Sequence, residues 1–293
     1  MKITVGRYSG FCFGVKRAYD LACVNSRNCD TLYILGKLVH NNDVCVDLKK
    51  RGIREIKSLD EIREGNVIFT AHGAGPDFYK EANQKGLRII DTTCPKVVKA
   101  QHLAKNYAEK GWQVIIFGDK KHKEIEGIQK WSKNKAKVAN NLREVKKIKI
   151  NKKKKYFLIS QTTQNAAEFK KIKEYLASKL PNFAYFNTIC DSTDNRQDEI
   201  RELARKNEAV LVVGGRDSAN SKRLYEIAKK LNKKTYFIEN AKQLKKSWFS
   251  DIKKVAVSAG ASTPEWVIRE VVKEIKKYNL NLSSPRKRGS RVF

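Results

Sequence analysis

The chain has 293 residues, of which 62 are lysine or arginine and 31 are aspartate or glutamate, giving a formal net charge of +31. Hydrophobic residues make up 41% of the sequence and charged residues 32%, so folded cores are expected and wholesale disorder is not. No apolar run approaches the roughly 20 residues of a membrane-spanning helix, and the start lacks the apolar stretch of a signal peptide. We therefore expect a soluble, cytoplasmic protein.

The positive charge is spread along most of the chain. A nucleic-acid-binding protein would instead concentrate it in one patch interleaved with aromatic residues. We interpret the lysines as decoration of solvated faces that favours acidic partners. No specific nucleic acid and no membrane is expected as a partner, and a basic nucleic-acid-binding protein stays the weaker alternative.

Three apolar strands that each end in glycine indicate an internal repeat. They are TLYILG (31–36), QVIIFG (113–118) and AVLVVG (209–214). A cysteine stands 24 positions before each of these glycines, namely Cys12, Cys94 and Cys190. Each glycine is followed by a polar loop, a helical pattern and a second apolar strand. The second strands lie in NVIFTAHG (66–73), YFLISQTT (156–163) and VAVSAGAS (255–262).

Strands that alternate with helices of 3.6-residue apolar periodicity, such as 95–111 and 220–232, predict parallel sheets with helices on their faces. Strands that are apolar throughout fit sheets covered on both sides. We expect an α/β fold of three similar small units with parallel sheets, arranged with pseudo-threefold symmetry around a central cavity. The expected units are 1–90, 91–186 and 187–281, followed by a basic, disordered tail at 282–293.

The cysteines fall into two sets. Six in a chain this long are too sparse for a disulfide scaffold. The three that lack a counterpart in the repeat are interpreted as small buried hydrophobic residues, and these are Cys23, Cys29 and Cys45. The three equivalent cysteines suit either a zinc centre with one further ligand or a four-iron cluster with one iron that has no protein ligand. Structural zinc usually takes close cysteine pairs, which are missing here, and an open iron would be a Lewis-acid site for a substrate oxygen.

Polar residues follow the predicted strands at the carboxyl end of the sheets, where ligands bind in open α/β folds. Most are hydrogen-bond donors suited to a phosphate or diphosphate, namely His40, His72, His122, Thr162, Ser218, Asn220 and Ser262. The single acid, Glu124, is the natural proton donor or relay. The alternative is that Ser218 and Asn220 only cap a helix, because DSANSKRL (217–224) is a good capping sequence. The fourth histidine, His102, falls in a predicted helix and is expected to be structural.

Nine blocks of sequence carry these residues, and they occur in collinear order over residues 1 to about 281. They are GFCFGVKRA (10–18), LVHNNDV (38–44), TAHGAGP (70–76), DTTCPKV (91–97), HKEIEG (122–127), SQTT (160–163), ICDSTDNRQ (189–197), DSANSKRL (217–224) and SAGASTPEW (258–266). Together they closely resemble the motifs of the LytB/IspH family of 4-hydroxy-3-methylbut-2-enyl diphosphate reductases. The sequence departs from the family's usual pattern at Ala219, where serine is frequent, and at Lys123, where proline is frequent.

The resemblance implies three α/β domains around one [4Fe–4S] cluster, ligated by Cys12, Cys94 and Cys190 and carrying an open apical iron. It implies reductive dehydroxylation of 4-hydroxy-3-methylbut-2-enyl diphosphate to isopentenyl and dimethylallyl diphosphate, the last step of the non-mevalonate isoprenoid pathway. Glu124 would deliver the proton that lets the hydroxyl leave as water, and the seven donors would hold the substrate. A reduced ferredoxin or flavodoxin would supply electrons, and such carriers are typically acidic. A zinc enzyme acting on a phosphorylated metabolite through the same cysteines is the main alternative.

Overall fold

The computed structural model describes residues 1–29 and 31–283, and within them every strand belongs to one of three four-stranded parallel sheets. The chain forms two compact units. One is Phe11–Arg196, and the other combines Met1–Gly10 with the residues from Gln197 onward. No helix in the described ranges is both long enough and apolar enough to cross a membrane.

The chain up to residue 91 contains the four strands of the first sheet and one strand of another sheet. The elements are, in order, β1 (Lys2–Val5), α1 (Phe13–Asn28), β2 (Leu32–Leu35), α2 (Asn42–Lys50), β3 (Arg54–Ile56), a 3₁₀ turn (Leu59–Glu61), β4 (Asn66–Phe69), α3 (Pro76–Gln84) and β5 (Arg88–Asp91). Strands β2 to β5 pair in the order β3-β2-β4-β5. Helix α2 begins where the Asn41 side chain accepts a hydrogen bond from the Val44 amide, and this cap ends the polar loop after β2.

The elements of the second sheet begin directly after β5, with a helix that starts at Pro95. Its elements are α4 (Pro95–Glu109), β6 (Gln113–Phe117), α5 (Lys123–Trp131), β7 (Lys137–Ala139), α6 (Leu142–Lys146), β8 (Tyr156–Ser160), α7 (Ala166–Lys179) and β9 (Phe183–Tyr185). The strand order is β7-β6-β8-β9. Pro95 starts α4 at a position where a missing amide hydrogen costs nothing, so the helix begins directly after Cys94.

The third sheet combines both ends of the chain. Its elements are α8 (Asp191–Lys206), β10 (Ala209–Val213), α9 (Ala219–Leu231), β11 (Thr235–Ile238), two 3₁₀ turns (Ala241–Gln243 and Lys246–Phe249), β12 (Lys254–Ala259) and α10 (Glu265–Ser283). The strand order is β1-β12-β10-β11, with Val5 opposite Val257. The predicted tail begins at 282, within the last turn of α10, and residues 284–293 lie outside the described part.

All three sheets share one strand order, which confirms the prediction of three similar α/β units with parallel sheets. The strand that comes before each repeat cysteine lies at the edge of its sheet. These strands are β1, β5 and β9, and they pair with β12, β4 and β8 respectively. For Cys12 that strand is β1, which therefore joins the third sheet even though it opens the predicted unit 1–90. The boundaries 1–90, 91–186 and 187–281 stay a prediction.

Each sheet has an apolar core on both of its faces, as the continuous apolar strands predict. On β10, Leu211 and Val213 pack into one core, while Val210 and Val212 pack into another on the opposite face. Strands β6 and β8 divide their residues between two cores in the same way. Side chains alternate between the faces of a strand, so a sheet covered on both sides has no polar face. The predicted polar site residues therefore lie after the strands, beyond their carboxyl ends.

Candidate active site

The three repeat cysteines occupy the same local position, the start of a helix. Cys12 and Cys94 are the N-cap residues of α1 and α4, and Cys190 directly precedes α8. The carbonyl of each accepts a bond from the amide four residues on, at 2.8, 3.0 and 3.2 Å respectively. All three are free and half-buried. The positive end of a helix favours a thiolate over a thiol, so all three positions suit an anionic metal ligand.

The Cys94 thiol interacts electrostatically with the thiols of both Cys12 and Cys190. The pKa of the Cys94 thiol is raised first by burial and also by the neighbouring thiols of Cys12 and Cys190. The amides of Lys96 and Val97 donate to the Cys94 sulfur and act in the opposite direction. Three thiols within electrostatic reach, each with the same helix-terminal support, fit a shared metal centre. Both a Cys₃ iron–sulfur cluster and a Cys₃ zinc site match this donor set.

Gly14 sets how closely α1 approaches Cys94. A Cβ atom at position 14 would lie 2.4 Å from the Cys94 sulfur and 3.1 Å from its Cβ, which is closer than side chains pack. Gly14 was not among the site residues predicted from the sequence. The available signal was a glycine in the first turn of a helix, where glycine is otherwise unfavourable.

Gly14→Ala is therefore expected to displace Cys94 and to lower the metal content per chain severalfold. The measurement is metal analysis of anaerobically purified protein, with thermal unfolding recorded beside it. Gly127→Ala is the matched control, because a Cβ there meets no atom closer than 3.3 Å. Full metal content in Gly14→Ala would show that this close approach is not needed to hold the centre.

Three of the predicted histidines lie together in the Phe11–Arg196 unit. The ring centroids of His40 and His72 are 4.5 Å apart, and His122 lies 5.5 Å from each. One ring nitrogen of each lies within 4.8 Å of the others, close enough to share one bound ion. His40 and His72 follow the neighbouring strands β2 and β4 of one sheet, whereas His122 follows β6 of the next sheet. The polar loops at the ends of strands from two sheets therefore meet at these rings.

Burial keeps the imidazoles of His72 and His122 neutral near pH 7. It lowers the pKa of His72 well below its ordinary value, with help from the two neighbouring rings. Burial and the nearby His40 lower the pKa of His122 to about 4. The Nδ1 atom of His122 accepts a bond from the Glu124 amide at 3.2 Å and so caps α5. The proton of neutral His122 therefore sits on Nε2, which is a hydrogen-bond donor.

Glu124 is a buried carboxyl, with 2% of its surface exposed. The amide of Thr162 donates to one carboxyl oxygen at 2.7 Å, and the Thr162 hydroxyl donates to the other at 2.8 Å. Burial raises the pKa of Glu124 to about 7, against the opposing effect of the two bonds from Thr162. A carboxyl with a pKa near neutrality carries a proton for part of the time and gives it up readily, as an acid catalyst must.

Backbone bonds tie these loops to the cysteines. The Thr162 carbonyl accepts from the Cys190 amide at 2.9 Å and from the Thr193 hydroxyl at 3.2 Å. The Cys94 amide donates to the carbonyl of Ala71, the residue before His72, at 3.1 Å. Eight of the eleven predicted site residues lie in the Phe11–Arg196 unit, and these bonds link the segments of Thr162 and Cys190 and those of Cys94 and His72.

The other three predicted residues, Ser218, Asn220 and Ser262, lie in the second compact unit and are buried. Ser218 caps α9, since its hydroxyl accepts from the Ser221 amide at 3.3 Å, so the capping alternative holds for this residue. Asn220 is different. It is 4% exposed, and neither polar atom of its amide has a hydrogen-bond partner within the described structure. A buried, unpartnered amide fits a residue that binds a ligand better than one that caps a helix.

The remaining cysteines and histidine are separate from these groups. Cys23 lies within α1, Cys45 within α2, and Cys29 directly after α1. Burial raises the pKa of both Cys23 and Cys45. His102 is exposed on α4. The prediction that the three cysteines are buried is met only in part, because all three are half-buried, and His102 is exposed rather than part of a core.

Comparison with known proteins gives a consistent result. The family model described as LytB protein matches residues 3–276. A relative named 4-hydroxy-3-methylbut-2-enyl diphosphate reductase from Pelobacter propionicus is 39% identical over 279 residues, 95% of this chain and 99% of the relative. The protein of that name from Campylobacter jejuni is 38% identical over 285 residues, 96% of this chain and 100% of the relative.

Two solved structures are similar over nearly the whole chain. The E-1-hydroxy-2-methyl-but-2-enyl-4-diphosphate reductase of Plasmodium falciparum has a TM-score of 0.87 at 28% identity, covering 97% of this chain and 88% of its own. An (E)-4-hydroxy-3-methyl-but-2-enyl diphosphate reductase, described as the terminal enzyme of the non-mevalonate pathway, has a TM-score of 0.69 at 34% identity. That match covers 94% of this chain and 100% of the other.

Proposed function

Because the chain belongs to the LytB protein family, we propose that it reduces 4-hydroxy-3-methylbut-2-enyl diphosphate to isopentenyl and dimethylallyl diphosphate. The reaction consumes two electrons and two protons; the allylic C–O bond breaks, a C–H bond forms, and water leaves. The observation that carries the proposal is the set of three helix-terminal cysteines, one of which, Cys190, is linked by its backbone through Thr162 to a buried carboxyl with a pKa of about 7.

We propose that Cys12, Cys94 and Cys190 hold one [4Fe–4S] cluster with one iron free of protein ligands. Bound there, the cluster would supply the electrons and a Lewis-acid iron. The three thiols fit it because each is half-buried and supported by a helix N-terminus. A zinc ion fits the same donors and could act as a Lewis acid, but it has no redox chemistry and could not itself pass electrons to the substrate.

The substrate diphosphate is the proposed ligand of the three histidines. In the unbound protein His122 is a neutral donor through Nε2, and an adjacent diphosphate would attract a proton to these rings. Thr162 is proposed to act beside them. By side-chain chemistry the same role is proposed for Ser218, Asn220 and Ser262, and the unpartnered amide of Asn220 is the strongest support among these three.

Glu124 is proposed to protonate the departing hydroxyl. The two bonds from Thr162 fix the carboxyl in one orientation, and burial keeps a proton on it up to about pH 7. A fixed acid in a site that excludes bulk water loses little energy to reorganisation when the proton moves.

We propose that a reduced ferredoxin or flavodoxin delivers the electrons one at a time. The net charge of +31 supports an acidic partner of this kind. We also propose a cytoplasmic location, since the six cysteines are free and free thiols persist in a reducing compartment.

Diphosphate binding is expected to be accompanied by proton uptake between about pH 5 and pH 7, the range around the ordinary histidine pKa of about 6.5. The pKa of unbound His122 is about 4, and a bound anion raises it, so the bound form holds more protons and binding strengthens as the pH falls. Calorimetry with inorganic diphosphate in two buffers of different ionisation enthalpy measures the uptake. His122→Gln should reduce it. Equal uptake by wild type and variant would remove His122 from the diphosphate site.

The proposed activity is tested by anaerobic incubation of the protein with reduced methyl viologen and 4-hydroxy-3-methylbut-2-enyl diphosphate, followed by product identification. We expect both five-carbon diphosphates and two oxidised viologens per product molecule. Protein that holds iron and sulfide but leaves the substrate unchanged would refute the proposal.

A further inference from the structure

An exposed surface surrounds the three repeat cysteines within the Phe11–Arg196 unit. We call it the cysteine face and define it by six residues: Phe13, Lys16, Lys96, Lys99, Phe186 and Asp191. All six are exposed to solvent. Phe13 follows Cys12 in the chain, and Asp191 follows Cys190, so the face is made by the segments that carry the thiols.

Contacts between these segments join them into one surface. The Lys96 ammonium lies 3.0 Å from a carboxylate oxygen of Asp191, which links the start of α4 to the start of α8. The Lys99 ammonium lies 4.1 Å from the centre of the Phe186 ring. The close approach of Gly14 to Cys94 places the first turn of α1, with Phe13, against the same cysteine.

The apolar part of this face has no evident role in folding. Phe13 is 76% exposed at the first position of α1, and Phe186 is 37% exposed. A phenylalanine left in water forfeits the free energy that burial of its ring would contribute. Large aromatic side chains are enriched in protein–protein interfaces relative to the remaining surface, so both residues suit a contact with another protein.

The charged part of the face favours an acidic partner. Its ion pairs, Lys16 with Asp20 and Lys96 with Asp191, are exposed, and Asp191 is 82% exposed. Exposed pairs of this kind contribute little to stability, so both lysines can exchange to carboxylates of an incoming protein. Lys99 adds a third ammonium, and the chain as a whole carries +31.

We infer that the cysteine face is the docking surface for an acidic one-electron carrier protein, with Phe13 and Phe186 at the contact centre and the lysines at its rim. The inference rests on the proposed function. Each encounter transfers one electron: the carrier is oxidised by one electron and the enzyme is reduced by one, with no bond made or broken. Docking here brings the donor against the residues next to the thiols, and the rim charges speed the encounter.

The test uses a purified acidic ferredoxin and the anaerobically purified full chain. The double variant Lys16→Glu/Lys99→Glu reverses two charges on the face. Lys152→Glu/Lys153→Glu makes the same change in net charge on exposed residues between α6 and β8. Two quantities are measured for each: the Kd of the oxidised ferredoxin at low ionic strength, and turnover driven by ferredoxin or by reduced methyl viologen.

We expect the face variant to raise the Kd and the ferredoxin KM about tenfold, with viologen-driven turnover unchanged. The control pair should change either value less than about twofold. Phe13→Ala should weaken ferredoxin binding severalfold and also leave viologen-driven turnover intact. Equal effects of the two lysine pairs, or none from the face variants, would overturn the docking site. Absence of viologen-driven turnover in wild type would instead refute the proposed function. In that case the Kd of ferredoxin for the wild type and the face variants would still show whether ferredoxin docks on the cysteine face.

Discussion

Alanine in place of any one of the three helix-terminal cysteines, Cys12, Cys94 or Cys190, is expected to abolish turnover. Each variant removes one of three protein ligands from the proposed cluster, and the neighbouring thiols cannot replace it because each is fixed by its own helix start. The visible absorption of the cluster should be lost together with the activity. Viologen-driven turnover measures the effect without the carrier protein.

The matched controls are alanine variants of the cysteines outside the repeat, namely Cys23, Cys29 and Cys45. Since these lie within or directly after helices and pack as small half-buried groups, we expect turnover within about twofold of wild type and a modest loss of stability. A repeat-cysteine variant that retains both absorption and turnover would contradict the assignment. So would an inactive control variant that keeps its fold by circular dichroism.

Glu124→Gln is expected to lower kcat by roughly 10²- to 10⁴-fold, the usual contribution of a general acid. Glutamine has nearly the same shape, and its amide oxygen still accepts the bond from the Thr162 amide. The Thr162 hydroxyl can accept a bond from the new amide in place of donating one. Fold, iron content and diphosphate affinity should therefore remain, and only proton delivery should be lost.

The pH profile adds a second measurement on the same residue. Burial raises the pKa of Glu124 to about 7, so the acid form is abundant below this pH and kcat should fall as the pH rises through it. Glu126→Gln on the same helix is the control, because Glu126 makes an exposed pair with Lys123. It should keep the wild-type rate and profile. A Glu124→Gln enzyme with normal kcat and an unchanged profile would exclude Glu124 as the acid.

The repeat in the sequence predicted most of the fold. Constant spacing from cysteine to strand-end glycine predicted three equivalent units, and the three sheets have one strand order. Strand-end loops of the repeated units were expected to converge, and His40, His72 and His122 do lie together although they follow strands of two different sheets. Pattern and spacing were sufficient to predict these features because the same order of cysteine, strand and polar loop recurs in each unit.

Other features depend on contacts between distant residues and could not be predicted. The pairing of β1 with β12 joins residues more than 250 positions apart, and no local pattern specifies it. The raised pKa of Glu124 comes from tertiary burial, and the two bonds that oppose the rise come from Thr162, which lies 38 residues away. Likewise, only the folded chain shows that Gly14 faces the Cys94 sulfur and that the amide of Asn220 is buried without a partner.

The measurement that tests the central claim most directly is iron and acid-labile sulfide per chain in anaerobically purified wild-type protein. A single cluster held by Cys12, Cys94 and Cys190 predicts about four of each per chain. Exposure to air should lower the iron first, because the iron without a protein ligand is the least protected. Zinc without sulfide, or no metal under strictly anaerobic conditions, would contradict the account and leave three helix-terminal thiols with a different chemistry.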